Sequence, residues 1–305
     1  MNRTFNLGPI IAATLTVKNI NDTEKNYTSI LGYKLEDEGY ISYELACSWG
    51  AKKMQGKEWK LLKPLSNEPG SLRLVQGSIP KSYRPLGHFG WTAVEILIRD
   101  PDDMYKKMKN SVFEVIGSPR PLKTSPDIKA LQVLGVDGEI LYLTNVSEGA
   151  SPMHILPSVK SNTDRVFIMV LGSKDHKNTI RFYNNHFGLL RATERVRARN
   201  FIGDSYGLKD EGRELKMSTI QLGGSSLIQV DSMQASASIA PVEWDMLPPG
   251  IAMVSFATND LSKFTAISLG PEVVERDSIY SGSRALTIQG SSGELIELID
   301  IQNLS

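Results

Sequence analysis

The residue types that most often bind metals or act as nucleophiles are rare in this sequence. Four histidines and one cysteine occur among its 305 residues. No two histidines have the spacing of a zinc-binding helix motif, so a site of that type is excluded. Cys47 has no second thiol in the chain, which excludes an intramolecular disulfide and a thiolate metal cluster. We expect Cys47 to be a small buried hydrophobic residue.

Among the histidines, His88 is the candidate for chemistry because it stands just before an apolar run that begins at Trp91. There it would lie at the edge of a site or in a hinge between two units. Two interpretations remain open: a catalytic imidazole, or a residue that packs the hinge. Residues 223–226 and 290–293 are rich in Gly and Ser but lack the Gly-Lys-Ser/Thr ending of a phosphate loop, so we expect turns there.

The overall composition narrows the classes of function. The chain carries 34 basic and 34 acidic residues, whereas a nucleic-acid-binding protein normally has an excess of positive charge. No apolar run reaches the roughly 20 residues needed to cross a bilayer. The N-terminal residues lack the pattern of a signal peptide. We therefore predict a cytoplasmic protein that binds neither nucleic acid nor membranes.

The elements that must position these residues follow a repeated hydrophobic pattern. Residues 10–17 are apolar and β-branched, which is typical of a buried strand, and residues 23–31 have apolar side chains on one helical face before Gly32. Three more strand-like runs follow, at residues 40–47, 58–62 and 71–76. The same order of strand, helix and three strands recurs from residues 91, 166 and 251. In the last copy the predicted helix is short and begins at Asp260.

Two pairs of similar segments support the repeat. Residues 26–32 resemble residues 182–188, and residues 138–143 resemble residues 293–298. We therefore divide the chain into two halves of two modules each, joined by a segment rich in Ser and Pro. The predicted boundaries are an N-terminal domain at 1–146 with modules 8–77 and 86–146, a linker at 147–162, and a C-terminal domain at 163–305 with modules 163–231 and 248–301.

This pattern resembles the vicinal oxygen chelate superfamily, which includes glyoxalase I, extradiol dioxygenases and bleomycin-resistance proteins. The resemblance rests on the helix that ends in aromatic-x-x-x-Leu-Gly at Tyr27–Gly32 and on the closing strand after Asp137 and Gly138. It implies an α+β fold in which four βαβββ modules pair into two domains, each with a mixed sheet that curls into a cup. It implies little about chemistry, because this fold carries lyases, isomerases, oxygenases and binding proteins.

In the superfamily, a metal is held by one side chain from each first strand, commonly His, and one from each last strand, commonly Glu. In this sequence those positions fall on Ala12, Ala93, Arg165 and Met253 in the first strands, and on Arg73, Tyr142, Gln229 and Glu297 in the last strands. Only Glu297 matches a family ligand, and one carboxylate does not hold a metal. The resemblance therefore predicts cups without a metal or other cofactor.

Other side chains of the N-terminal cup then become the candidates for chemistry. Glu95 lies two residues after Ala93, on the same face of the strand, and Thr14 has the matching place after Ala12. A carboxyl group among apolar neighbours has a raised pKa, which suits a general acid or base near neutral pH. Arg73 could bind a substrate carboxylate and Tyr142 could donate to a carbonyl.

A structural alternative remains open for the same residues. Arg73 and Glu95 could form a buried ion pair that fills the space of the metal. Arg165 and Glu297 could pair in the same way in the C-terminal cup. Likewise, Trp91, Tyr43 and Trp49 could line an apolar pocket, or they could belong to the core.

The leading hypothesis is a metal-independent lyase, isomerase or cyclase that acts on a hydrophobic or aromatic carbonyl compound in the N-terminal cup. Its catalytic residues would be Glu95, Tyr142 and His88. Its substrate-binding residues would be Arg73, Thr14, Trp91, Tyr43 and Trp49. The alternatives are a protein that sequesters a small molecule, as bleomycin-resistance proteins do, and a divergent metal-dependent extradiol dioxygenase or glyoxalase-like enzyme. A small molecule is the expected partner, and a homodimer is left open.

Overall fold

The structure is a computed structural model, and it describes residues 6–122, 125–147, 156–189, 192–197, 215–233 and 236–301. Eight of the predicted linker residues, 148–155, lie outside the described residues. No helix within the described residues is long and apolar enough to span a membrane.

Each of the four predicted modules contains strands in the expected order. The first has β1 (Ile10–Val17), α1 (Ile20–Asn26), β2 (Lys34–Tyr40), α2 (Tyr43–Ser48), β3 (Glu58–Lys63) and β4 (Ser71–Gln76). The second has β5 (Gly90–Ile98), α3 (Pro101–Lys109), β6 (Glu114–Leu122), β7 (Ser125–Leu134) and β8 (Ile140–Val146). The third has β9 (Thr163–Ser173), α4 (His176–Phe187), β10 (Ala192–Arg197), β11 (Leu215–Gln221) and β12 (Leu227–Ser232). The fourth has β13 (Gly250–Thr258), β14 (Val273–Val274), β15 (Arg284–Gln289) and β16 (Leu295–Asp300).

Capping side chains mark the beginnings of α1 and α3. Asn19 accepts a hydrogen bond from the backbone N–H of Asp22, and Asp100 accepts from two N–H groups of the first turn of α3. After α1, a single π-helical turn at Tyr27–Leu31 leads to Gly32. Gly32 has a φ of 82°, a left-handed conformation that glycine adopts without strain.

The strands of the described residues form two eight-stranded sheets, and the modules pair differently from the prediction. The first sheet joins the first and fourth modules through antiparallel pairing of β1 with β13. The second sheet joins the second and third modules through antiparallel pairing of β5 with β9. The first strands of all four modules are similar apolar runs, and any of them can hydrogen-bond along the edge of another. The hydrophobic pattern therefore does not determine which two modules pair. The predicted pairing of adjacent modules within residues 1–146 and within 163–305 is therefore wrong.

Each sheet has one face in a shared core and one concave face. Alternate residues such as Leu15, Ile96, Met169 and Val254 belong to one buried apolar cluster that contains residues of all four modules. Their neighbours along each strand point to the opposite face, because side chains alternate along a strand. We call the concave face of the first sheet the first cup and that of the second sheet the second cup.

Two local predictions are wrong. Residues 40–47 were expected to form a strand, but α2 begins at Tyr43 because the Ser42 hydroxyl accepts a hydrogen bond from the Leu45 N–H at 2.9 Å and caps a helix. No α-helix follows Asp260, where the chain forms turns and one 3₁₀ turn at Thr265–Ile267. The Asp260 carboxylate instead accepts a hydrogen bond from the nearby Ser262 N–H.

Two buried tyrosine–glutamate contacts, related by the internal repeat, connect the sheets. The Tyr27 hydroxyl donates to Glu139 Oε1 at 2.8 Å, and the Tyr183 hydroxyl donates to Glu294 Oε1 at 3.1 Å. Each contact joins a module of one sheet to a module of the other. Burial raises the pKa of Glu139 to about 7 and that of Glu294 to about 7.

The burial of these two carboxyl groups makes the stability of the fold depend on pH. A carboxyl group with an ordinary pKa of 4.5 and a folded-state pKa of about 7 binds more protons in the folded than in the unfolded state across that interval. The free energy of unfolding is therefore expected to fall as pH rises from about 4.5 to about 7, by up to about 3 kcal/mol for each such group.

Urea unfolding at about pH 5 and about pH 7.5 measures this effect, and Glu139→Gln isolates the part due to Glu139. We expect the variant to lose less stability than the unsubstituted protein over this range. An equal loss in both proteins would contradict the assignment of a raised pKa to Glu139.

Candidate functional site

The first cup is centred on the guanidinium group of Arg73. Its Nε donates to Thr14 Oγ1 at 2.9 Å, and its Nη1 donates to the Tyr280 hydroxyl at 2.8 Å. Its Nη2 donates to Glu297 Oε2 at 2.9 Å and to Ser255 Oγ at 3.3 Å. Burial lowers the pKa of Arg73, but Glu297 and Tyr280 more than offset this and raise it above its ordinary value, so the guanidinium stays charged.

Glu297 is satisfied on both oxygens. Its Oε1 accepts from Trp49 Nε1 at 2.7 Å and from the Tyr280 hydroxyl at 2.6 Å, while Oε2 accepts from Arg73 and from the Ser255 hydroxyl. The Trp49 ring also faces Arg73, with 4.7 Å between the ring centroid and Cζ. The charges in this cup are thus paired and hydrogen-bonded, as buried charges must be.

Helix α2 closes the first cup. Leu45 and Ala46 lie in this helix, and Trp49 is the residue that follows it. All three belong to one buried cluster with the apolar residues of the concave face. The side chains of Arg73 and Glu297 are only 2% and 1% exposed. Both side chains are enclosed beneath α2, and the substrate-binding role expected for Arg73, Thr14 and Trp49 remains a prediction.

The first cup does not fit a divalent metal. The strand positions that hold a metal in the superfamily carry Ala12, Arg73, Met253 and Glu297 in this sheet, and the Arg73 guanidinium already provides the positive charge. Among the described residues, no group of three or more His, Cys, Asp or Glu side chains is arranged to hold a metal. The expected absence of a cofactor remains a prediction.

The expected partners of two arginines are different from those observed. Arg73 pairs with Glu297 of the fourth module and not with Glu95, which lies on the other sheet. Arg165 pairs with Glu68 at 3.0 Å and not with Glu297. Both differences follow from the pairing of the first module with the fourth, which places Arg73 and Glu297 on one concave face.

The second cup contains a different set of polar groups. Glu95 on β5 and Tyr142 on β8 are register partners in neighbouring parallel strands, as the sequence suggested. Thr144, two residues after Tyr142, donates from its hydroxyl to Glu95 Oε1 at 2.7 Å. Gln132 on β7 is the register partner of Tyr142 on its other side and is also buried. Four polar side chains therefore lie along three adjacent strands.

The environment of Glu95 shifts the pKa of its carboxyl group toward neutral pH. Burial raises the pKa of Glu95 to about 7; the hydrogen bond from Thr144 lowers it and the charge of Asp231 raises it. Glu95 is 8% exposed, so the carboxyl group is largely removed from water. A carboxyl group with this pKa can both accept and donate a proton near neutral pH.

Two further polar side chains reach this cup from β12. Gln229 donates from its amide nitrogen to the Asp231 carboxylate, at 3.0 Å to Oδ2. Gln229 was placed at a last-strand position from the sequence, but Asp231 was missed. The two-residue period that led from Ala93 to Glu95 also leads from Gln229 to Asp231, so the signal was present.

Apolar side chains complete the second cup. Ala93, Val170, Ile140 and Leu86 form a buried cluster with Tyr142. Leu97, Ile168 and Leu227 belong to a second cluster farther along the strands. The cup thus combines apolar walls with a few convergent polar groups, which is the usual composition of a small-molecule site.

The remaining predicted site residues lie outside both cups. Tyr43 is an exposed residue at the start of α2. Trp91 is buried and donates from Nε1 to the Leu295 carbonyl at 2.8 Å. His88 Nε2 accepts from the Arg84 N–H at 3.1 Å, and Nδ1 lies 3.2 Å from Ser238 Oγ. None of the described contacts of His88 involves Glu95, and these two bonds fit the hinge-packing interpretation.

Known proteins share this architecture, although the sequence has diverged from them. No protein-family model and no curated protein matches the chain. Glyoxalase I from Zea mays aligns with a TM-score of 0.62 over 95% of this chain and 92% of its own, at 14% sequence identity. A protein from Bacillus subtilis, proposed to be a dioxygenase, aligns with a TM-score of 0.60 over 99% of this chain and 88% of its own, at 10% identity. Similarity at these identities establishes the fold alone and confirms the predicted fold class.

Proposed function

We propose that this chain, which has the vicinal oxygen chelate fold, is a metal-independent lyase or isomerase for a hydrophobic or aromatic carbonyl compound, and that the second cup is its active site. The observation that carries the proposal is the buried Glu95 carboxyl group with a pKa of about 7. The charged residues of the first cup are enclosed by α2 and bound to one another, so we assign them a structural role.

Glu95 is the acid or base of the proposed reaction. In its ionised form it removes a proton from the carbon next to the substrate carbonyl, and the C–H electron pair moves into a carbon–carbon double bond as the carbonyl oxygen becomes negative. In an isomerisation of an unsaturated carbonyl compound, the C=O double bond re-forms, the carbon–carbon double bond moves into conjugation with it, and the far carbon takes the proton from Glu95. In an elimination, the C=O double bond re-forms, a double bond forms between the α and β carbons, and the leaving group departs from the β carbon with its bonding electron pair and takes the proton from Glu95.

Tyr142 and Asp231 assist in different ways. Tyr142 is the register partner of Glu95, and its hydroxyl would donate a hydrogen bond to the developing oxyanion. Burial is the main cause of the raised pKa of Glu95 and the charge of Asp231 adds to it, so part of the Glu95 population is protonated at neutral pH. The apolar walls around Ala93 and Ile168 favour an aromatic or aliphatic substrate body.

Exchange of carbon-bound hydrogen for deuterium tests this proposal before the natural substrate is known. Chelator-treated protein would be incubated in D₂O with a panel of aryl and alkyl ketones and aldehydes, and loss of the signals of hydrogens next to the carbonyl would be followed by proton NMR. We expect exchange above the buffer rate for at least one compound, with no increase when Zn²⁺, Mn²⁺ or Fe²⁺ is added.

Two outcomes would contradict the proposal. Exchange that appears only after a divalent metal is added would favour a metal-dependent enzyme. A compound that binds tightly and is recovered without exchange or conversion would favour a protein that sequesters a small molecule.

We also propose a cytoplasmic location.

A further inference from the structure

A cleft that borders the first cup at Trp49 and the second cup at Leu86 has the properties of a second ligand site. Its volume is about 730 Å³, within the range of about 300–1,000 Å³ that is usual for small-molecule sites. It lies among the end of α2, the loop that leads into β5, the segment before β13 and the turn between β15 and β16. We propose that this cleft binds a small amphipathic organic anion, with a carboxylate or sulfonate group on an aromatic or aliphatic body.

Backbone hydrogen bonds hold two walls of the cleft together. The Ser238 N–H donates to the Gly87 carbonyl at 3.2 Å, and the Phe89 N–H donates to the Ser238 carbonyl at 2.9 Å. The segment that contains Ser238 and the loop that contains His88 therefore form one unit. The cleft is preformed, which reduces the entropy that a ligand loses on binding.

Apolar side chains along this cleft are unusually exposed. Ile239 and Trp244 are 78% and 76% exposed, and Val242 and Leu269 also have large exposed fractions. All four line the cleft. A contiguous patch of large exposed apolar residues usually marks a binding site on a protein surface. These residues would contact the apolar body of the ligand.

Two cationic side chains of the cleft would bind the anionic group of the ligand. Arg84 and Lys174 both line the cleft, and neither forms an ion pair with a carboxylate among the described residues. Within the described part of the chain, the Arg84 side chain donates from Nη1 to the carbonyls of Lys81 and Tyr83, and Nη2 and Nε make no hydrogen bond there and are available for a ligand. A guanidinium and an ammonium group at the edge of an apolar surface match a carboxylate or sulfonate.

The acidic side chains of the cleft oppose only part of this positive charge, because one carboxyl group, that of Asp245, stands against two cations and the other is buried. The Glu294 carboxyl group is buried and is bound by the Tyr183 hydroxyl and the Ser292 N–H. Asp245 also lines the cleft and makes no ion pair with either cation. His88 adds no charge at neutral pH, because its Nε2 accepts a hydrogen bond from Arg84 and burial lowers its pKa.

Binding of 8-anilinonaphthalene-1-sulfonate, an aromatic sulfonate, tests the proposal by fluorescence titration of the full chain. We expect saturable binding that weakens about tenfold in the Arg84→Gln, Lys174→Gln double variant and about tenfold in Trp244→Ala. The matched controls are Lys107→Gln and Leu65→Ala, which change an exposed cation and an exposed apolar residue outside the cleft. Both controls should bind the probe as the unsubstituted protein does.

A neutral probe, N-phenyl-1-naphthylamine, separates charge from hydrophobicity. We expect its affinity to fall in Trp244→Ala and to stay unchanged in the double variant. Unchanged affinity for the sulfonate in the double variant, or an equal loss in the controls, would overturn the proposal. A loss of sulfonate binding in Glu95→Gln would also overturn it, because it would assign the probe to the second cup. Near-ultraviolet circular dichroism checks that each variant is folded.

Discussion

Replacement of Arg73 by methionine is expected to lower the free energy of unfolding by about 3–5 kcal/mol, because it leaves the Glu297 carboxylate buried without a positive charge. The variant also removes the hydrogen bonds from the guanidinium to Thr14 and Tyr280 and the contact with the Trp49 ring. Methionine keeps much of the side-chain volume, so the loss reports charge and hydrogen bonding more than a cavity. Urea unfolding at neutral pH measures this effect.

Two further variants identify the cause of the Arg73 effect. Arg284→Met removes an exposed arginine of the same sheet, which pairs with Asp300 and Glu272, and should lower the free energy of unfolding much less than Arg73→Met does. The double variant Arg73→Met, Glu297→Gln should recover part of the lost stability, because no unpaired charge remains and the glutamine oxygen can still accept from Trp49. If Arg73→Met were as stable as Arg284→Met, the account of the first cup would be wrong.

The second large effect is expected in the second cup. Glu95→Gln should slow hydrogen exchange next to a substrate carbonyl by about 10²–10⁴-fold, because the amide can neither accept nor return the proton at neutral pH. Substrate affinity should change little, because glutamine has nearly the same shape and still accepts from Thr144. The rate and the affinity would be measured separately, by NMR exchange and by equilibrium titration.

Glu139→Gln is the matched control for Glu95→Gln. Glu139 is also a buried glutamate with a pKa of about 7, but it contacts Tyr27 and lies outside the cup. The exchange rate of this variant should equal that of the unsubstituted protein under conditions in which both are folded. Equal rates in Glu95→Gln and the unsubstituted protein would rule out Glu95 as the acid or base.

The fold was predictable because its main signals are local. The first strands are unbroken apolar runs such as Ile10–Val17, and the apolar face of residues 23–31 followed by Gly32 indicates the first helix and its end. These signals do not predict which two modules share a sheet. That choice depends on which of the four similar first strands pair with each other. Strand β2 was missed because its sequence, with acidic residues at 36–38, lacks an apolar alternation.

The candidate site was predictable one side chain at a time. The two-residue period placed Glu95 and Tyr142 together on one concave face, and Arg73 and Glu297 at inward positions of their strands. Their grouping depends on module pairing, so the sequence joined Arg73 to Glu95 instead of Glu297. The sequence left open whether Trp49 lines a pocket or belongs to the core. It belongs to the core, because Ser42 caps a helix that covers the first cup.

Titration of the Glu95 carboxyl group tests the central claim most directly. The protein would be labelled with carbon-13 at the glutamate side-chain carboxyl, and the signal that disappears in Glu95→Gln would be followed by NMR as the pH changes. We predict a midpoint near pH 7, with no shift of that signal when divalent metal is added. A midpoint near 4.5, the ordinary value for glutamate, would mean that Glu95 is fully ionised at neutral pH and would contradict the proposed chemistry.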